Sequence, residues 1–186
     1  MNYHIITPFI RKENLSLLQE NFKGFTWHRL EETDHYKKIA DVIERVATKI
    51  NDFLDTELID DDYYTFMCDD DAFEEGYLEK IKQFTDDVIV VSLKRGDKTI
   101  RPGVHAHPTD TLIASPENMK INSWGLQQLI IKGKILKNYR LNFESTADGA
   151  IGEQLKKDME EQGKKIRFVP DLYVLFNYLE PGRYNK

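Results

Sequence analysis

A single cysteine, Cys68, stands among the 186 residues. It excludes an intramolecular disulfide and any zinc site built from several thiolates, and it is compatible with a reducing compartment. The 6 prolines and 10 glycines are scattered, and no repeat, low-complexity tract or linker emerges. No window approaches the roughly 20 apolar residues of a membrane-spanning helix. The opening Met1–Pro8 lacks the basic stretch and long apolar run of a signal peptide. A soluble, cytoplasmic protein is expected. Basic residues are also in deficit, with 26 Lys and Arg against 32 Asp and Glu and a net charge of −6. That argues against a nucleic-acid partner, whose phosphates call for a basic excess. A small anionic ligand stays open, because a bound divalent cation reverses the local charge.

What is present is the composition of a folded domain, 40% hydrophobic and 31% charged, in a chain long enough to bury a core. Tyr3 to Ile6 is a short apolar run stopped by Thr7-Pro8, which predicts a buried strand opening into a loop. Leu15, Leu17, Leu18 and Phe22 predict a helix between Lys12 and Phe22, and Phe25 to Leu30 a second strand. Ile39, Val42, Ile43, Val46, Ile50, Phe53 and Leu54 fall at steps of three and four, predicting one long amphipathic helix from Tyr36 to Leu58. Tyr63 to Cys68 reads as a buried strand, followed by a helix with Phe73, Tyr77, Leu78, Ile81 and Phe84 inward. Val88 to Leu93 is a further strand.

Periodicity fails between Lys94 and Ser123, leaving loops and one short strand near Leu112. Leu126 to Leu136 reads as a strand broken by Gly133, and Asp148 to Gln162 as a helix. Ile166 to Val169 and Tyr173 to Tyr178 read as two closing strands. Strands alternating with helices, with a less regular second half, point to one α/β domain over residues 1–186, with a mostly parallel mixed sheet covered on both faces. Such sheets bind ligands beyond the carboxyl ends of their strands. That rim would carry Thr7-Pro8, Glu31-Glu32 and Asp69-Asp70-Asp71.

The acidic triplet is the chemically loaded feature. Three adjacent carboxylates at the end of a hydrophobic strand repel one another, and strand packing does not reward them. Their hard oxygens suit Mg²⁺ or Mn²⁺, which take one or two carboxylates and complete the shell with water and substrate phosphates. The plainer alternative is a solvated loop with Asp71 capping a helix. A second triplet, Asp60-Asp61-Asp62, precedes a strand and reads as a solvated turn.

The stretch from Tyr63 through Cys68-Asp69-Asp70-Asp71 to Tyr77-Leu78 and Ile81 resembles the central motif of family 2 glycosyltransferases, which have the GT-A fold. Ile5-Ile6-Thr7-Pro8-Phe9 is similar to that family's opening strand and loop. The resemblance implies a metal-dependent transfer of a sugar from a nucleotide-diphosphate donor, UDP- or GDP-linked, to a carbohydrate or other hydroxyl acceptor, with inversion. It implies that Asp69, Asp70 and Asp71 hold Mn²⁺ or Mg²⁺ and the donor diphosphate, with Asp70 foremost. Thr7, Pro8 and Phe9 would lie against the nucleoside, with Arg11 in the same donor loop and Glu31 or Glu32 reading base or ribose. Asp148, in Ala147-Asp148-Gly149-Ala150, matches the family's general base, with an N-cap as its plainer role. Trp124 and Gly125 would border the acceptor, although Trp124 suits a core equally well.

The chain departs from that pattern at Cys68, where many members begin the acidic run with Asp, and at Ala147, which replaces a Glu. Two other readings compete. A sugar-phosphate nucleotidyltransferase would carry a glycine-rich phosphate loop, and Thr7-Pro8-Phe9-Ile10-Arg11 has no glycine. A non-catalytic nucleotide- or carbohydrate-binding module would bind without transferring.

Overall fold

The computed structural model describes residues 1–8, 14–56, 58–95, 111–120, 124–142 and 147–176. The strands are β1 (Tyr3–Thr7), β2 (Thr26–Arg29), β3 (Tyr63–Phe66), β4 (Ala72–Phe73), β5 (Val88–Arg95), β6 (Thr111–Leu112), β7 (Leu129–Lys132) and β8 (Arg167–Phe176). The helices are α1 (Leu15–Asn21), α2 (Asp34–Lys37), α3 (Val42–Leu54), α4 (Tyr77–Ile81), α5 (Gly133–Leu136) and α6 (Ala147–Glu161), with a 3₁₀ turn at Leu126–Gln128. The strands form one sheet in the order β2-β1-β3-β7-β5-β8-β4, with β6 paired to β5.

Side-chain alternation along the strands sorts the core onto two faces. Ile6, Tyr64, Phe66, Val88, Val90, Leu129 and Ile131 point to one face, where they meet Ala47, Ile50 and Leu54 of α3 and Ile151, Leu155 and Met159 of α6. Tyr3, Ile5, Tyr63, Ile89, Val91 and Ile130 point to the other, against Leu18 of α1, Phe22 just beyond it, and Leu78 and Ile81 of α4. Helices therefore cover both faces, as an α/β sheet requires.

The sheet is mixed, as expected, but it is not mostly parallel: among the described residues antiparallel pairings outnumber parallel ones. β1 runs parallel to β2 and β3, and β5 runs parallel to β8. β7 is inserted antiparallel between β3 and β5, while β4 and β6 pair antiparallel with β8 and β5. Runs of apolar residues signal burial on both faces but carry no strand direction.

Four further expectations change. The long helix is two: Asp41 turns the chain and accepts a hydrogen bond from Glu44 N at 2.9 Å, the N-cap that starts α3. Val42 and Ile43 at its start are exposed, and the buried stripe begins at Ala47. Phe73 belongs to a strand, because Ala72–Phe73 pairs with Leu175 and Val174 of β8. Gly133 opens α5: a Cβ there would collide with the carbonyl of Ile59, so the chain turns where only glycine fits. The two closing strands are one, β8, continuous through a bulge. Between Val91 and Ser92 the register slips past Pro170, whose carbonyl accepts from Ser92 Oγ at 2.7 Å. Tyr178, at the expected end of that strand, lies outside the described residues.

Asp62 also departs from a solvated turn. It is 4% exposed and accepts from the backbone N of Asn2 at 2.6 Å, and its Oδ2 lies 3.1 Å from His4 Nε2. Because ionised Asp62 only accepts, His4 Nε2 donates to it, and His4 Nδ1 lies 2.9 Å from His28 Nε2. Burial, and then the neighbouring His4, push the His28 pKa below its ordinary 6.5. His28 is thus neutral in the fold where the unfolded chain already binds a proton, so stability is lost as pH falls below about 6.5. Urea midpoints between about pH 5 and 7.5 should fall toward acid in the wild type, and this slope should flatten in His28→Gln.

Candidate functional site

The parallel ladder around β1 brings three strand ends to one rim. Past the ends of the strands it continues through Leu30 N to Thr7 O, 3.0 Å, and Met67 N to Ile6 O, 3.0 Å. The loops after β1, β2 and β3 therefore leave side by side. These are the places where the sequence puts Thr7-Pro8, Glu31-Glu32 and Asp69-Asp70-Asp71.

The acidic run is buried: Asp69 and Asp70 are each 4% exposed and Asp71 is 0% exposed. A tight turn makes this possible. Asp71 N donates to the Cys68 carbonyl at 3.3 Å, and Cys68 N donates to Asp71 Oδ2 at 3.1 Å. The turn is braced from the N-cap of α1, where Asn14 Nδ2 donates to the Asp69 carbonyl at 2.9 Å. It draws Cys68, Asp70 and Asp71 together, with one ligand atom from each lying within 4.8 Å of the others. That spacing fits the donor set of a single cation, two hard carboxylates and a softer sulfur. Asp69 lies outside this grouping.

Gln127, from the 3₁₀ turn, reaches the same place and donates from Nε2 to Cys68 Sγ at 3.5 Å. Gly125, which the sequence assigns to the acceptor side, packs close to the Gln127 side chain: a Cβ on it would meet Gln127 Oε1. Trp124 is 5% exposed and lies in the core, its ring seated on Gly152 of α6. Its indole Nε1 is buried with no hydrogen-bond partner among the described residues.

At the end of β1, Thr7 is fully buried, and its Oγ1 accepts from Trp27 Nε1 at 2.9 Å. Glu31 is exposed. Glu32 is gripped at both carboxylate oxygens, Oε1 by Arg45 Nη1 at 3.0 Å and Oε2 by Lys49 Nζ. The Lys49 hydrogen bond, outweighing partial burial and helped by Arg45, holds the Glu32 carboxyl below the usual carboxylate range. Asp148 occupies the first turn of α6. Phe9 and Arg11 lie outside the described residues.

Asn14, Gln127 and Lys49 were not singled out from the sequence. Lys49 left a signal: it interrupts the apolar stripe of Val46, Ile50 and Phe53 on α3. The other two act through contacts 55 and 59 residues away along the chain, which no local pattern carries.

Comparison with known proteins defines the fold as one already seen in solved structures. No family model matches the chain, and no curated protein matches it. The crystal structure of A197 from STIV aligns with a TM-score of 0.52 at 14% identity, over 94% of this chain and 84% of that one. Residues 1–349 of S. aureus TarS align with a TM-score of 0.47 at 12% identity, over 93% of this chain and 60% of that one. The likeness to A197 is one of fold alone. Among the described residues, no helix is long and apolar enough to cross a membrane.

The brace on the acidic turn is open to test. Asn14 is 4% exposed, and Asn14→Ala leaves a buried carbonyl without this donor. The expected loss is about 1–3 kcal/mol, read as a lower denaturant midpoint at unchanged m-value.

Proposed function

We propose that this protein is a metal-dependent glycosyltransferase of GT-A type, moving a sugar from a nucleotide-diphosphate donor to an acceptor hydroxyl. The observation that carries the reading is the convergence of Cys68, Asp70 and Asp71 at the carboxyl end of β3, on the same edge as the ends of the parallel strands β1 and β2. Open α/β sheets take their ligands at such a rim.

In this reading Cys68, Asp70 and Asp71 hold the cation, and the sulfur favours Mn²⁺ over Mg²⁺. When bound there, the cation would supply positive charge against the diphosphate leaving group. The residues of the β1 and β2 ends wall the nucleoside. Asp148, at the start of α6, takes the proton from the acceptor hydroxyl as that oxygen attacks the anomeric carbon, giving inversion. Gln127 orients the Cys68 sulfur. The acceptor approaches from the side of Gly125, with Trp124 packed in the core behind it.

A thermal-shift panel of UDP, GDP, CDP and dTDP, each with and without Mn²⁺, tests the reading, because a ligand selective for the native state raises the melting midpoint. One nucleotide is expected to raise it, only with metal, and Asp70→Asn should abolish the rise. No shift with any nucleotide would contradict the proposal. Asp148→Asn should keep metal-dependent nucleotide binding and lose transfer by about 100-fold or more. Binding by the wild type with neither transfer nor donor hydrolysis would favour a non-catalytic binding module.

A further inference from the structure

Lys49 is the most deeply buried cation among the described residues, 2% exposed on the inner side of α3. An ammonium taken out of water carries a penalty of several kcal/mol unless each of its donors is satisfied. Lysine has three N–H donors, and here they meet Pro8 O at 3.1 Å, Leu30 O at 3.3 Å and Glu32 Oε2. Nothing is left over on the ammonium to bind a ligand. Its partners are the residue just after β1, the residue just after β2, and the acidic residue two further on. Arg45, one turn earlier on α3, completes the set by donating from Nη1 to Glu32 Oε1 and from Nε to the Ile39 carbonyl, each at 3.0 Å. One helix thereby fastens two strand ends and the segment entering α3.

We infer that Lys49, with Arg45 and Glu32, is the positioning clamp of the nucleoside end of the site, an inference that rests on the nucleotide-binding reading above. Lys49 fixes the separation of the Pro8 and Leu30 backbones, the two walls between which the base of a nucleoside diphosphate would lie. The two cations keep Glu32 ionised and immobile. A carboxylate so held has lone pairs to spare for a base N–H or a ribose hydroxyl, since two oxygens offer about four acceptor sites. The clamp also sets a local charge of two cations against one carboxylate, which suits an anionic ligand arriving at a rim otherwise dominated by Asp69, Asp70 and Asp71. Lys49 is accordingly a positioning residue that touches no substrate.

The test uses the full chain, Lys49→Met and Glu32→Gln, with Mn²⁺, UDP and GDP as probes. Amide exchange at Leu30, whose N–H bonds to Thr7 O, is expected to quicken in Lys49→Met without nucleotide. The affinity for the nucleotide that the wild type binds should fall by about tenfold or more in both variants, while Mn²⁺ affinity stays unchanged. A general loss of structure would lower both affinities, so the split identifies positioning. Should Lys49→Met fail to fold, Glu32→Gln carries the test, because Glu32 is partly exposed. Folded variants that bind nucleotide as tightly as a binding-competent wild type would overturn the clamp alone. A wild type that binds neither nucleotide would overturn the nucleotide reading and the clamp's role with it.

Discussion

Strand β1 is flanked on both sides by parallel neighbours, and the rest of the arrangement depends on that pairing. A parallel ladder fixes direction as well as register, so the carboxyl ends of β1, β2 and β3 must emerge on the same edge. The hydrogen bonds from Leu30 to Thr7 and from Met67 to Ile6 carry the ladder past the strands and bring the three exit loops side by side. Had β2 or β3 been antiparallel to β1, its acidic exit would lie at the opposite end of the sheet. The core on the two faces serves this geometry: α3 and α6 press on one side, α1 and α4 on the other.

Two electrostatic problems sit on that rim and are solved differently. Beyond the ends of β1 and β2 a buried ammonium is saturated by two carbonyls and a carboxylate, and the carboxylate is matched in turn by Arg45. This is a closed set that fixes backbone. At the end of β3, Asp70 and Asp71 are buried close together with the Cys68 sulfur. Like charges so near one another repel, and the turn that gathers them is held by Cys68 N–H and by Asn14. A divalent cation between them would turn that repulsion into attraction. In the proposed reading the first cluster builds the wall of the nucleoside site, and the second supplies the ligands of the cation.

Much of the scaffold was legible because it depends on local sequence. Tyr3–Thr7, Tyr63–Phe66 and Val88–Arg95 are apolar runs of strand length, and α6 follows the spacing of Ile151, Leu155 and Met159. What failed depends on partners distant in sequence. Ala72–Phe73 is a strand because β8 lies beside it, and β8 runs past Pro170 through a bulge where Ser92 Oγ donates to the Pro170 carbonyl. The single long helix failed for a local reason, the capping carboxylate of Asp41, which the run of apolar steps concealed. In the site, the acidic run stood out because adjacent carboxylates do not belong at the end of a hydrophobic strand. Cys68 was noted as a departure from the family pattern, and the fold makes it a neighbour of Asp70 and Asp71. Asn14 and Gln127 stayed hidden because each acts on a partner more than fifty residues away, and Lys49 showed only as a break in the apolar stripe of α3.

The central claim is that Cys68, Asp70 and Asp71 form a cation site that a nucleotide diphosphate completes. The most direct measurement is titration of Mn²⁺ into wild type and Asp70→Asn, following the spectrum of free Mn²⁺ by electron paramagnetic resonance with UDP or GDP present. The account predicts that the wild type removes a single equivalent of Mn²⁺ from solution, more tightly with its nucleotide than without, and that Asp70→Asn removes none. Equal free Mn²⁺ with wild type and variant at every point of the titration would contradict it.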